Sequence, residues 1–212
     1  MTVRRILIPM FTLAICVLML WKWTFGFNAF TVFSHTLLQS GTTPRSVEDI
    51  TLIDQDSNIF HLQDKQSFVL MNFVYLNCPS VCHKINNRLE KIYQELNQDI
   101  IPNQLELLTV SFDMLNDDIN RIKLYRNYFG DDLNGWNFAI PNQVDKAELE
   151  NYLSNIGIWA KSAPGSSIIN HSTYLFLISP EHKIIKVFDP AREDDESILL
   201  NLRLWIASGG NL

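Results

Sequence analysis

At 212 residues the chain has room for one ordinary domain and an appendage. A net charge of −6, with basic residues that do not cluster, argues against nucleic acid as a partner. Three cysteines are too few for a disulfide-rich scaffold.

The appendage comes first. Residues 6–21 run without a charge behind Arg4 and Arg5, and are followed by Lys22, Trp23, Phe25, Phe27 and Phe30. A basic flank, an apolar run and an aromatic belt predict one transmembrane helix with a cytoplasmic N-terminus, Lys22 snorkelling to the interface. A cleaved signal peptide is the competing reading. No small-x-small cleavage site follows the run, so an uncleaved anchor over residues 1–30 is expected. Cys16 lies within the span as an apolar filler. Residues 31–45 are expected as a linker without chemistry, in which Phe33, Leu37 and Leu38 continue the membrane helix briefly and His35 is interfacial or solvated. The domain proper is then 46–212.

Two short strands at 50–54 and 59–62, around a polar turn, predict a β-hairpin against the domain edge, with His61 facing solvent. Residues 69–77 read as a buried strand and Cys78-Pro79 as the turn out of it. Cys82, Ile85, Leu89, Ile92, Tyr93 and Leu96 form the apolar face of the helix that follows. Pro79 suits a first helical position, which puts Cys78 near the N-cap and Cys82 about one turn later on the same side. Free backbone N–H groups and the helix dipole favour thiolates there, nucleophilic or metal-binding.

Residues 105–113 form a second near-continuous apolar strand, which implies parallel pairing in a covered sheet. A helix over 117–129 ends at Gly130, a strand covers 136–141, and a helix over 144–156 ends at Gly157. Residues 157–171 are expected as a loop containing Pro164-Gly165 and Ser166-Ser167, ending at His171. Strands at 172–179 and 184–188 make an antiparallel hairpin whose turn carries His182, and an amphipathic helix over 197–207 closes the chain. The order is that of an α/β, thioredoxin-like fold with an N-terminal β-hairpin extension, tethered by one transmembrane helix. In such sheets ligands gather at the carboxyl ends of the parallel strands, where Cys78, Cys82 and Asp113 lie.

The Cys78–Cys82 pair reads as a structural disulfide, a redox couple or a metal site. Its spacing is one residue longer than that of thioredoxin-type redox pairs, and Asn170-His171-Ser172 stands where those proteins present an X-Pro peptide. Two thiolates and one imidazole make a site for a soft or borderline ion; Zn²⁺ wants a fourth ligand, whereas Cu(I) accepts three and favours sulfur. His83, beside Cys82, points about 100° around the helix and belongs at the rim. Asp113 reads as buried structure, a cap for the next helix, or an auxiliary oxygen ligand.

Asn72-Phe73-Val74-Tyr75-Leu76-Asn77-Cys78-Pro79-Ser80-Val81-Cys82, Val110-Ser111-Phe112-Asp113 and the segment from Asn170-His171-Ser172 to Pro180 resemble the SCO/SenC family of copper chaperones, over about residues 45–207. The resemblance implies a membrane-tethered metallochaperone rather than an enzyme. Copper, as Cu(I) or Cu(II), would be held by Cys78, Cys82 and His171, with Asp113 as an auxiliary. The implied task is assembly of the dinuclear copper centre of cytochrome c oxidase, by copper delivery, thiol reduction or both. Implied partners are the oxidase's copper-bearing subunit, a copper donor and a thiol reductant, at the inner membrane with the domain facing the periplasm or its equivalent. The alternative is a thiol–disulfide oxidoreductase or redox sensor in which Cys78 attacks and Cys82 resolves. The chain departs from the family pattern where Ser80 and Asn170 replace Asp and His83 replaces Pro; Asn170 would orient the imidazole through its carbonyl without adding charge.

Overall fold

The computed structural model describes residues 2–79, 81–130, 132–162, 166 and 168–211, with backbone alone at 2–4 and 81. Ser80, Pro164, Gly165 and Ser167 lie outside the described residues.

Helix α1 (Thr2–Trp23) is apolar between Arg5 and Lys22, and its span is not buried by the rest of the described residues; only at its end does the Trp23 ring meet His35, at 6.0 Å. The chain then turns at residues 24–31, with Phe25, Gly26 and Phe27 all at positive φ. Helix α2 (Val32–Gln39) follows as a separate element and does not prolong α1. Thr31 starts it: the Ser34 N–H donates to Thr31 Oγ1 at 3.1 Å, and the Thr31 N–H donates back to Ser34 Oγ at 3.2 Å. Phe33 and Leu37, one turn apart, pack on the domain core. Gly157 permits this approach. A Cβ there would lie 2.9 Å from Leu37 Cδ1 and 2.8 Å from Ser40 Oγ, and its φ of +94° suits glycine alone. Arg45 fastens the end of α2, donating to the Gly41 and Ile156 carbonyls, each at 2.9 Å.

Among the described residues the domain is built on an eight-stranded mixed sheet, in the order β1 (Arg45–Ser46), β10 (Lys183–Phe188), β9 (Leu175–Ile178), β4 (Phe68–Val74), β5 (Leu105–Ser111), β6 (Trp136–Pro141), β2 (Thr51–Asp54) and β3 (Ile59–His61). At its centre, β4 (Phe68–Val74) pairs in parallel with β5 (Leu105–Ser111), which pairs in parallel with β6 (Trp136–Pro141). All of β4 is buried, as a strand covered on both faces must be. Val69, Met71 and Phe73 point to the core under α5 (Lys146–Ile156). Phe68 and Leu70 point to the core under α3 (Val81–Leu96), α4 (Ile119–Asn127) and α6 (Asp195–Ala207). On the other side of β4, β9 (Leu175–Ile178) and β10 (Lys183–Phe188) pair antiparallel, and β1 (Arg45–Ser46) adds to β10. The expected N-terminal hairpin is β2 (Thr51–Asp54) and β3 (Ile59–His61), joined to β6 through the Leu52–Pro141 and Ile53–Ile140 registers. This is the thioredoxin-like fold with its β-hairpin extension.

The stretch 157–171 is more than a loop. Strands β7 (Ala160–Ser162) and β8 (Ile169–His171) form a two-stranded sheet in which Ala160 faces His171. The next strand accordingly starts at Leu175 rather than at Ser172. Ser172 is engaged elsewhere: its N–H donates to the Trp159 carbonyl at 2.9 Å, and its Oγ accepts the Trp159 N–H at 3.0 Å.

Candidate metal centre

The site forms where β4 gives way to α3 and where β8 ends. The chain leaves β4 through Tyr75, Leu76 and Asn77, reaches Cys78, and begins α3 at Val81, so the helix starts later than Pro79 suggests. Cys78 still acts as a cap. Its Sγ accepts the Cys82 N–H at 3.3 Å, one of the amides that the first turn leaves without an intrahelical partner. Both cysteines are buried and neither is in a disulfide.

His171 approaches from the β8 side. Its Nε2 lies 3.4 Å from Cys82 Sγ, and its Nδ1 lies 2.9 Å from the Ser172 carbonyl. A carbonyl only accepts, so Nδ1 carries the proton and Nε2 turns its lone pair toward the sulfurs. The expectation that Asn170 orients the ring is thereby corrected. Asn170 is exposed, and the backbone of Ser172, held by Trp159, does the work. The ligand atoms of Cys78, Cys82 and His171 all lie within 4.8 Å of one another. That is close enough for one ion to touch all three.

The electrostatics correct a second expectation. The helix start does not make Cys82 a ready thiolate, because burial first, and its hydrogen bond with Cys78 second, push its thiol well above the ordinary range. Its proton has a natural place on the line to His171 Nε2. An ion entering between these donors displaces that proton. Tyr75, which sequence reasoning passed over, closes the site from below. Its ring packs edge-on against His171 and tilts against Phe112, its hydroxyl accepts the Ile169 N–H at 3.3 Å, and burial raises its own pKa.

The other candidates fall elsewhere. Asp113 accepts Asn116 Nδ2 on both oxygens, at 2.8 and 3.0 Å, and is outside the ligand cluster. It does not cap α4 either, since Asp118 is the N-cap. Asp113 is thus buried structure, and beside it Asp117 is a second buried carboxylate, which accepts the Ser111 hydroxyl at 2.5 Å and the Leu76 N–H at 2.9 Å beside Arg121. His83 sits at the rim against the Tyr125 ring, His61 is exposed and bonded to Asp49, and His182 lies in the β9–β10 turn.

Residues 39–207 match the SCO1/SenC family. The chain belongs to that family. The mitochondrial SCO2 homolog of Danio rerio is 25% identical over 163 residues, covering 69% of this chain and 57% of that protein. The match therefore spans little more than half of the curated relative's length. Among solved Sco structures, Bradyrhizobium japonicum ScoI with copper bound superposes with a TM-score of 0.64, at 18% identity, over 76% of this chain and 99% of that one. BsSco is a member of the Sco family of cytochrome c oxidase assembly proteins in which a disulfide switch was identified. It superposes with a TM-score of 0.66, at 19% identity, over 80% of this chain and 96% of that one. At such identities the superpositions establish the Sco fold.

Proposed function

We propose that this SCO1/SenC protein is a membrane-anchored copper-binding factor that holds one copper ion through Cys78, Cys82 and His171. Its task is assembly of the dinuclear copper centre of cytochrome c oxidase. The observation that carries the reading is the convergence of two sulfurs and one correctly protonated imidazole within 4.8 Å. Two soft donors and one borderline donor suit Cu(I), which is stable with three ligands, better than a hard cation. Copper bound by relatives such as ScoI adds support. The ion is cargo: a docked recipient with its own thiolates takes it by stepwise ligand exchange. Asp113, tied to Asn116, is not needed. The anchor is α1, residues 1–30 are retained, and the domain works on the periplasmic or equivalent side.

The competing use of the same sulfurs is reduction of the recipient's cysteines. Cys78 supports it by lining the open pocket, where an incoming disulfide can reach its sulfur. The Cys78 thiolate attacks the recipient disulfide and expels one recipient thiolate. Cys82, losing its proton, then attacks Cys78 Sγ, closing a Cys78–Cys82 disulfide and releasing the second thiolate. Two electrons pass to the recipient, and an external dithiol restores the pair.

The test is elemental analysis of reduced, full-length protein after copper loading and desalting. Wild type should retain one copper per chain, and Cys78→Ser and Cys82→Ser should each retain almost none. Undiminished copper in either variant would refute the site.

A further inference from the structure

The pocket over Cys78 and His171, about 310 Å³, has a wall that comes from outside the thioredoxin-like domain. Tyr75, Cys78, Pro79, Ile169 and His171 line it together with Phe33 of α2. Phe33 is held there. Its ring lies 5.4 Å from the Trp159 ring, and Leu37, one turn on, seats in the space left by Gly157. Trp159 is also the residue whose backbone clamps Ser172, and the Ser172 carbonyl accepts the His171 Nδ1–H. Three successive contacts, Phe33 to Trp159, Trp159 to Ser172 and Ser172 to His171, therefore join the segment that follows α1 to the imidazole of the metal centre.

We propose that Phe33 is an access-controlling residue: docked α2 narrows the mouth above Cys78, so that slender thiols and small soft-ion complexes reach the sulfur while broad ones are excluded. The inference deepens the reading of Cys78 as the pocket-lining sulfur of the site, the one that meets a recipient, and rests on it. Access to the sulfur can nevertheless be measured without copper. A recipient that lifts α2 off Trp159 would open the mouth and loosen the support of His171 together, which couples docking to release.

The experiment uses reduced, copper-free full-length protein in detergent, alkylated in parallel with iodoacetamide and with the much broader fluorescein maleimide. Modification of Cys78 is followed by fragment-ion mass spectrometry, which separates it from Cys82 and Cys16. Phe33→Ala should raise the maleimide rate at Cys78 at least about threefold while moving the iodoacetamide rate little, because exchange-type thiol reactions depend on access as well as on thiolate fraction. Phe33→Leu should restore most of the discrimination. Val32→Ala, on the exposed side of α2, should leave both rates unchanged. An unchanged ratio of the two rates in Phe33→Ala overturns the proposal. Equal acceleration by both reagents, with no recovery in Phe33→Leu, overturns it too, since general loosening does not discriminate by size. Failure of copper to bind wild type would remove the metal reading and leave this result standing.

Discussion

His171 makes two bonds that ask opposite things of its ring. The Ser172 carbonyl demands a proton on Nδ1, and the sulfurs demand a bare Nε2. Neutral imidazole satisfies both, so the tautomer needed for ligation exists before any ion arrives. Loss of an outer partner of a metal ligand typically costs about 10–100-fold in affinity. His171→Ala removes the ligand itself and should weaken Cu(I) binding by at least that much in competition with a chelator. Disulfide exchange needs only the sulfurs, so thiol counting through one oxidation cycle should still find the Cys78–Cys82 couple reversible. Equal copper affinity in wild type and variant would take His171 out of the site and favour the oxidoreductase reading. That Cys78, Cys82 and His171 meet was legible in sequence because a long apolar strand ends on the two cysteines and His171 stands just before the last hairpin, at the same end of the sheet. The choice of Ser172 over Asn170 as the orienting group was not, since it depends on a backbone carbonyl that every residue possesses.

Elements meet at Asp117, which accepts from Leu76 after β4 and from Ser111 at the end of β5 while lying beside Arg121 of α4. It braces the strand ends from which the cysteine loop springs. Burial, the largest influence on it, raises its pKa above the usual carboxylate range. A carboxyl whose folded pKa is raised stabilises fully below its unfolded pKa, and that stabilisation is lost as pH rises through the folded value. Wild type should therefore lose thermal stability relative to the non-titrating Asp117→Asn as pH rises from about 4 to about 7. A difference that moves in favour of wild type over that interval would mean that Ser111, Leu76 and Arg121 outweigh burial. Long elements such as β4, β5 and α3 were readable because their apolar runs or helical periodicity extend over seven residues or more. Strand β7, Ala160-Lys161-Ser162, is three residues without a β-branched side chain and offers no such signal. Helix α2 is eight residues long, and its docking through Phe33 and Leu37 is a tertiary fact.

The whole molecule is a folded domain behind one long, largely apolar helix. The 22 residues of α1 extend for ~33 Å, enough to cross a bilayer's hydrocarbon core, and the stretch Arg5–Trp23 has a mean hydropathy of 2.0. In the orientation proposed above, Arg4 and Arg5 stay on the cytoplasmic side and the domain emerges on the other. Intact mass of the membrane-extracted protein should retain residues 1–30, and protease added on the extracytoplasmic side should digest the domain. A mass beginning beyond residue 20 would rule out the anchor. The docked α2 also sets the length of a leash. With α2 in place only residues 24–31 separate α1, the proposed anchor, from the folded body, a reach of at most ~28 Å. Releasing α2 frees the chain as far as β1 at Arg45 and extends that reach to ~75 Å. The sphere in which the domain can search for a recipient then grows roughly twentyfold in volume, scaling as the cube of that reach.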